Sequence, residues 1–226
     1  SALTFTRSYV RPNLDAQKLV KAEPESAEPS PATANEVVLI SSLPDYQQQL
    51  ALAGIFAALF AGAGAIVFAL DKLDYLLPPL WFDNWETTWP LGLGPVFMLA
   101  GIGHFVAMDS FSSIVPPQGT WGFWPVPTAP KFHSAWTGVC EFVGGALLTS
   151  AGLAPFFGYA PPVELEVCSG ALLALLIAVT PANIYMATHD VTMEGTPPVP
   201  YPSGHIIRGA FQSLLFAFFW IMTFQD

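Results

Sequence analysis

Five side chains able to carry charge or several hydrogen bonds stand inside otherwise apolar stretches: His104, Glu141, Asn183, Arg208 and Gln212. Such groups are costly within a membrane, and they either pair or do work. At helical rise, Glu141 is about 10 Å from the nearer polar end of its stretch, Asn183 about 9 Å, His104 about 6 Å and Arg208 about 5 Å. Gln212 stands one turn beyond Arg208 on the same helical face. All five belong to the same half of the membrane, so one polar cluster inside a helical bundle is expected. Three chemistries fit it. The first is structural: a Glu141–Arg208 ion pair, buttressed by Asn183, Gln212 and His104, fixes which helices are neighbours, because a lone buried carboxylate is costly. The second is a seat for a polar-headed lipophilic ligand such as a quinone, with His104 or Glu141 as proton partner. The third is pigment ligation, in which a histidine nitrogen or an Arg-neutralised carboxylate holds a chlorophyll magnesium. The other histidines, His133, His189 and His205, are expected to be ordinary interfacial residues near the same surface.

The elements that must position these groups are membrane spans. Of the 226 residues 53% are hydrophobic and only 11% charged, against about 25% charged in soluble domains. The net charge of −10 argues against a nucleic-acid partner, since phosphate binding needs a basic face. The chain contains no phosphate-loop, zinc-protease, paired-cysteine or nucleophile-elbow motif. Neither a catalytic residue nor a metal site is expected. Leu50 to Leu70 is 21 residues without a charge, and such a helix is long enough to cross a bilayer. Four more spans are expected at about Leu91–Met108, Ser134–Leu153, Leu165–His189 and His205–Phe224, with Pro95 able to kink the second.

Three segments result. Residues 1–49 form a polar tail rich in Ala, Pro, Glu and Ser, unable to bury enough surface to fold alone. Its Ser1 start, without a signal-peptide core, is expected to reflect removal of a targeting segment. Such a tail is expected to lie on a neighbouring membrane subunit. Residues 50–90 hold an extra transmembrane helix and an interfacial segment, in which Trp81, Trp85 and Trp89 recur every four residues and should anchor at the headgroups. Residues 91–226 hold the remaining four spans. Trp121 and Trp124, in a proline-rich loop from Asp109 to His133, are expected as further interfacial anchors. Arg7, Arg11, Lys18, Lys21, Lys131 and Arg208 fall on one side and Lys72 on the other, which places the first side toward cytosol, stroma or matrix. Cys140 and Cys168 sit at opposite depths, too far apart for a disulfide. In the first span Gly54, Ala58 and Gly62 form a small-residue stripe suited to close helix contact. That span carries no polar group of its own, which marks it as an appended anchor.

Spans two to five carry a resemblance. "LAGIGHFVAMDSFSSIVPP" (Leu99–Pro117), "GVCEFVGGALL" (Gly138–Leu148), "PANIYMATH" (Pro181–His189) and "IIRGAFQSLLFAFFW" (Ile206–Trp220) resemble the DoxX-like family of small four-helix integral membrane proteins. The resemblance runs from Leu91 to Phe224 and implies an all-α, four-helix membrane bundle, here with one added N-terminal transmembrane helix. It makes His104, Glu141, Asn183 and Arg208 the characteristic polar positions. The namesake members are associated with quinone-linked sulfur oxidation, so a quinone-linked oxidoreductase subunit is one implied function. The added helix, tryptophan segment and acidic tail favour the other: a non-catalytic accessory subunit of a large complex in the plastid thylakoid membrane. An algal photosystem–antenna supercomplex is the expected host, with chlorophyll and carotenoid at the periphery.

Overall fold

Long charge-free stretches have to satisfy their backbone polar groups internally, and in lipid that means helices. The computed structural model describes residues 38–224. Helices α1 (Asp45–Leu76), α2 (Trp81–Glu86), α3 (Trp89–Val106), α4 (Met108–Ser113), α5 (Pro130–Phe157), α6 (Leu165–His189) and α7 (Ser203–Phe224) account for most of them. Five helical stretches are long and apolar enough to cross a membrane: α1, Trp81–Val106, α5, α6 and α7. The expected polar tail and its docking on a neighbour lie, for residues 1–37, outside the described residues, as do Arg7, Arg11, Lys18 and Lys21.

Span boundaries differ from expectation where polar turns continue a helix. α1 starts at Asp45 and runs past Asp71, Lys72 and Asp74 to Leu76. Its 32 residues reach about 48 Å at helical rise, against a hydrocarbon core of about 30 Å. The helix is therefore longer than a hydrocarbon core is thick. α3 stops at Val106, because Ala107 leaves helical geometry (φ −119°, ψ 45°), and Asp109 belongs to the separate short helix α4. Pro95 lies within α3 without ending it. α5 gains a turn at each end and closes at Gly158, whose φ of +67° suits glycine.

Neighbours follow one another: α3 lies along α5, α5 along α6, α6 along α7, and α7 along α1. Aromatic rings bring α3 and α7 together, with Phe97 edge-on to Phe219 at 5.3 Å and Trp89 on Phe218 at 4.5 Å. The core between them is built from Leu148, Leu172, Phe216 and Phe219.

The tightest seam is α3 on α5, and glycine makes it possible. A methyl group on Gly101 would stand 2.6 Å from the Gly138 carbonyl oxygen, and one on Gly145 would stand 2.5 Å from the Gly94 oxygen. Gly94 and Gly101, like Gly138 and Gly145, are seven residues apart, two helical turns on one face. The small-residue stripe of α1 is much looser. Gly54 has no neighbour within 4 Å, and only Gly62 meets another helix, at Ser213. α1 is joined to α7 by the Ser213 hydroxyl, which donates to the Leu59 carbonyl (3.1 Å), and by stacking of Phe60 on Phe216.

The tryptophans divide between surface and core. Trp81 is 65% exposed and Trp85 partly exposed, both on the short helix α2. Trp89 is not an interfacial anchor. It is 5% exposed and packs edge-on against Phe82 and Trp85. Trp121 is not one either, being 1% exposed. The proline-rich loop folds back and inserts this indole among Leu52 of α1 and Ile184 of α6. Trp124 packs edge-on to Trp121 and faces a cavity. Cys140 is exposed, Cys168 is buried, and both are free thiols.

Candidate functional site

The α3–α5 seam sets the first polar pair. His104 follows Gly101 by three residues and Glu141 follows Gly138 by three, so each lies one turn beyond a glycine of the closest crossing. A methyl group on Gly138 would stand 2.6 Å from the Cβ of His104. The close backbone approach thus delivers His104 Nε2 to within 3.3 Å of Glu141 Oε2. No hydrogen bond joins them, since Oε2 has no donor in bonding geometry. The other ring nitrogen, Nδ1, is 3.2 Å from the Ser134 hydroxyl, and the ring stacks on Phe111 with centroids 3.9 Å apart. His104 is 7% exposed and held on every side.

Arg208 does not meet Glu141, and the expected ion pair is absent. Its Nη2 donates instead to Asn183 Oδ1 at 2.7 Å. Asn183 Nδ2 donates to Gln212 Oε1 at 3.2 Å, Gln212 Nε2 donates to Thr180 Oγ1, and Thr180 donates to the Leu176 carbonyl. The result is a one-way chain of hydrogen bonds across the α6–α7 contact. Among the described residues, no Asp or Glu forms an ion pair with Arg208. The expected single cluster is therefore two: His104–Glu141 between α3 and α5, and Arg208–Asn183–Gln212 between α6 and α7. A pigment site made of an Arg-neutralised Glu141 has no counterpart here.

Asn183 borders two hollows. On one side is a cavity of about 410 Å³ bordered by His104, Glu141, Ser134, Trp124, Trp136 and Asn183, with Ile114, Val115, Leu176 and Val179 as apolar lining. On the other is a hollow of about 40 Å³ bordered by Arg208, Gln212 and His205, with Ile55 and Leu59 of α1 as part of its wall. α1 is thus more than an anchor, because it covers the Arg208 side of the bundle. Replacing Asn183 by Leu should remove the acceptor of the half-buried Arg208 and leave the buried Gln212 Oε1 without a donor, the second at about 1–3 kcal/mol. Thermal unfolding of the detergent-solubilised protein would measure this, and an unchanged midpoint would contradict the chain of bonds.

The remaining histidines stand near helix ends. His133 Nδ1 accepts from Trp136 Nε1 at 3.2 Å, and His189 Nδ1 is 2.8 Å from Thr188 Oγ1. The Thr188 hydroxyl also receives the Trp121 indole N–H at 3.1 Å. His205 Nε2 is 3.6 Å from Asp190 Oδ1. Sequence reasoning missed Thr180, Ser134 and Phe111. Thr180 was findable, since it shares a face with Asn183 at three-residue spacing just as Arg208 and Gln212 share one at four. Ser134 and Phe111 carry no such local signal, because they reach His104 only through tertiary packing.

No curated protein and no solved structure matches the chain. A family model does, over residues 93–223, which include all five polar residues and exclude α1 and α2. The chain belongs to the family described as "Domain of unknown function (DUF8561)".

Proposed function

We propose that this chain is a non-catalytic accessory subunit of a larger membrane complex, an algal photosystem–antenna supercomplex of the plastid thylakoid. On this reading it is a DoxX-like four-helix bundle with one helix added. The observation that carries the reading is that added helix. α1 stands outside the family-matched residues, spends one face on α7, and leaves Phe68, Tyr75 and Leu76 exposed on the rest of its length. An apolar flank of this kind suits the side of a neighbouring subunit, a chlorin ring or a carotenoid. Both ring nitrogens of His104 face protein groups, so chlorophyll and carotenoid belong at the periphery. The closed Arg208–Asn183–Gln212 chain supports a structural role, since every member bonds within the protein. Mild detergent extraction of native thylakoids should recover the chain co-migrating with chlorophyll-protein bands. Recovery as a free 24.3 kDa species would sink the reading.

A second reading, a quinone-linked oxidoreductase subunit of the DoxX type, is favoured by one specific observation. His104 and Glu141, a base and an acid in proximity, both border the larger cavity. Glu141→Gln should then abolish quinone-dependent turnover, because the amide cannot take up a proton. Unchanged turnover would remove Glu141 as a proton carrier.

A further inference from the structure

Arg208 is a half-buried cation in an apolar helix, and among the described residues no carboxylate pairs with it. A charge withdrawn from water is costly unless an opposite charge or a full set of hydrogen bonds meets it. Asn183 meets it only in part. A guanidinium has five N–H donors, and among the described residues a single bond leaves this one, from Nη2 to Asn183 Oδ1. Asp190, at the end of α6, faces His205 instead, with Oδ1 3.6 Å from Nε2.

The cation has space beside it. The hollow of about 40 Å³ that it borders exceeds the roughly 10–15 Å³ that one water needs. Among the described residues no carboxylate lines it, and Ile55 and Leu59 of α1 with Ala187 of α6 make its apolar wall. Both His205 ring nitrogens are buried away from the space, and the Gln212 carboxamide is engaged with Asn183 and Thr180. Arg208 therefore supplies the charge, and an apolar wall strengthens its field. Gly209 keeps the space open, since a methyl group there would meet only Leu59 Cδ2, in ordinary contact at 3.6 Å. An anion fits these conditions, and the planar guanidinium fork favours an oxyanion. Arg208 is about 8 Å along α7 from Ser203, and Ile206, Ile207 and Phe211 nearby on that helix are exposed. A site so near a helix end and beside apolar surface is open to a lipid headgroup as well as to a dissolved ion.

We infer that this hollow binds an oxyanion of the phosphate class, held by the Arg208 guanidinium in the orientation that Asn183 gives it. The oxyanion is carried by a lipid headgroup or is free in solution. Binding of this kind is a property of the single chain and does not depend on membership of any larger complex.

The test uses the purified full chain, delipidated by extended washing in an uncharged maltoside detergent, with thermal unfolding as the readout. One arm titrates inorganic phosphate against gluconate at equal ionic strength. The other titrates phosphatidylglycerol in mixed micelles against phosphatidylcholine. With at least one probe the unfolding midpoint should rise above its comparator and saturate, as for a ligand bound by the folded state alone. A response to the lipid alone identifies a headgroup, and a response to phosphate shows that the free ion suffices. Arg208→Gln should raise the half-saturating concentration roughly tenfold, as for loss of a charge-assisted hydrogen bond. Gly209→Ala adds its methyl without a clash and favours the helix, so it should fold normally while weakening the response by filling the hollow. It keeps the test decisive even where Arg208→Gln fails to fold. No saturable rise with either probe, or a response in Gly209→Ala equal to that of the unaltered chain, would overturn the inference.

Discussion

Gly138→Ala should destabilise the protein by about 1–3 kcal/mol, the usual cost of forcing an extra methyl into a well-packed interior. The new carbon would stand 2.6 Å from the His104 Cβ and 3.0 Å from the Gly101 carbonyl oxygen. The second of these is backbone, so relief requires α3 and α5 to separate. Gly54→Ala provides the contrast. Nothing lies within 4 Å of it, and alanine is the better helix former by about 1 kcal/mol. It should be neutral or stabilising. Thermal unfolding of both variants in one detergent compares them directly, and an equal response would mean that the α3–α5 crossing is not the constraint described. Gly138→Ala should also push His104 away from Glu141.

Trp121→Ala should cost more, about 3–5 kcal/mol, the range for emptying a buried aromatic site. The indole is 1% exposed, seals the junction of α1 with α6, and satisfies Thr188. Its backbone adds a discriminating detail. Trp121 sits at φ +57°, the left-handed region, which costs a residue bearing a Cβ about 1–2 kcal/mol. Trp121→Gly removes the same side chain but relieves that backbone cost, so it should be less damaging than Trp121→Ala despite leaving the larger void. Trp81→Ala, on an exposed helix, should change little. Were all three tryptophan variants equivalent, the loop would not be inserted as described.

The spans were legible because hydropathy reports the slab directly. α6 begins and ends where the sequence placed it, at Leu165 and His189. α1 outran its charge-free stretch because Asp71, Lys72 and Asp74 limit where lipid can lie but do not stop a helix. Depth was legible too, and it selected His104, Glu141, Asn183, Arg208 and Gln212. Rotation about each axis was not. Depth along a helix leaves open which neighbour a side chain meets, so Glu141 was matched to the nearest opposite charge, Arg208, when it faces α3 and Arg208 faces α6. The missing signal was in the sequence as the seven-residue glycine pairs 94/101 and 138/145, which identify the faces that touch. The stripe in the first span drew attention by its shorter period, yet it meets another helix only at Gly62. Trp121 and Trp89 were unreadable for a different reason. An indole near a span end suits headgroups and protein interior equally well, and only the fold-back of the intervening loop decides.

The polarity of the Arg208–Asn183–Gln212–Thr180 series bears on traffic of hydrogen ions through this half of the slab. Carboxamide side chains neither take up nor release a proton at ordinary pH, so Asn183 and Gln212 act as insulators between the guanidinium and the Thr180 hydroxyl. The arginine therefore serves as a fixed positive field with no conduction path beneath it. The groups able to exchange protons, the His104 imidazole and the Ser134 hydroxyl, stand together in the other cluster, apart from this series.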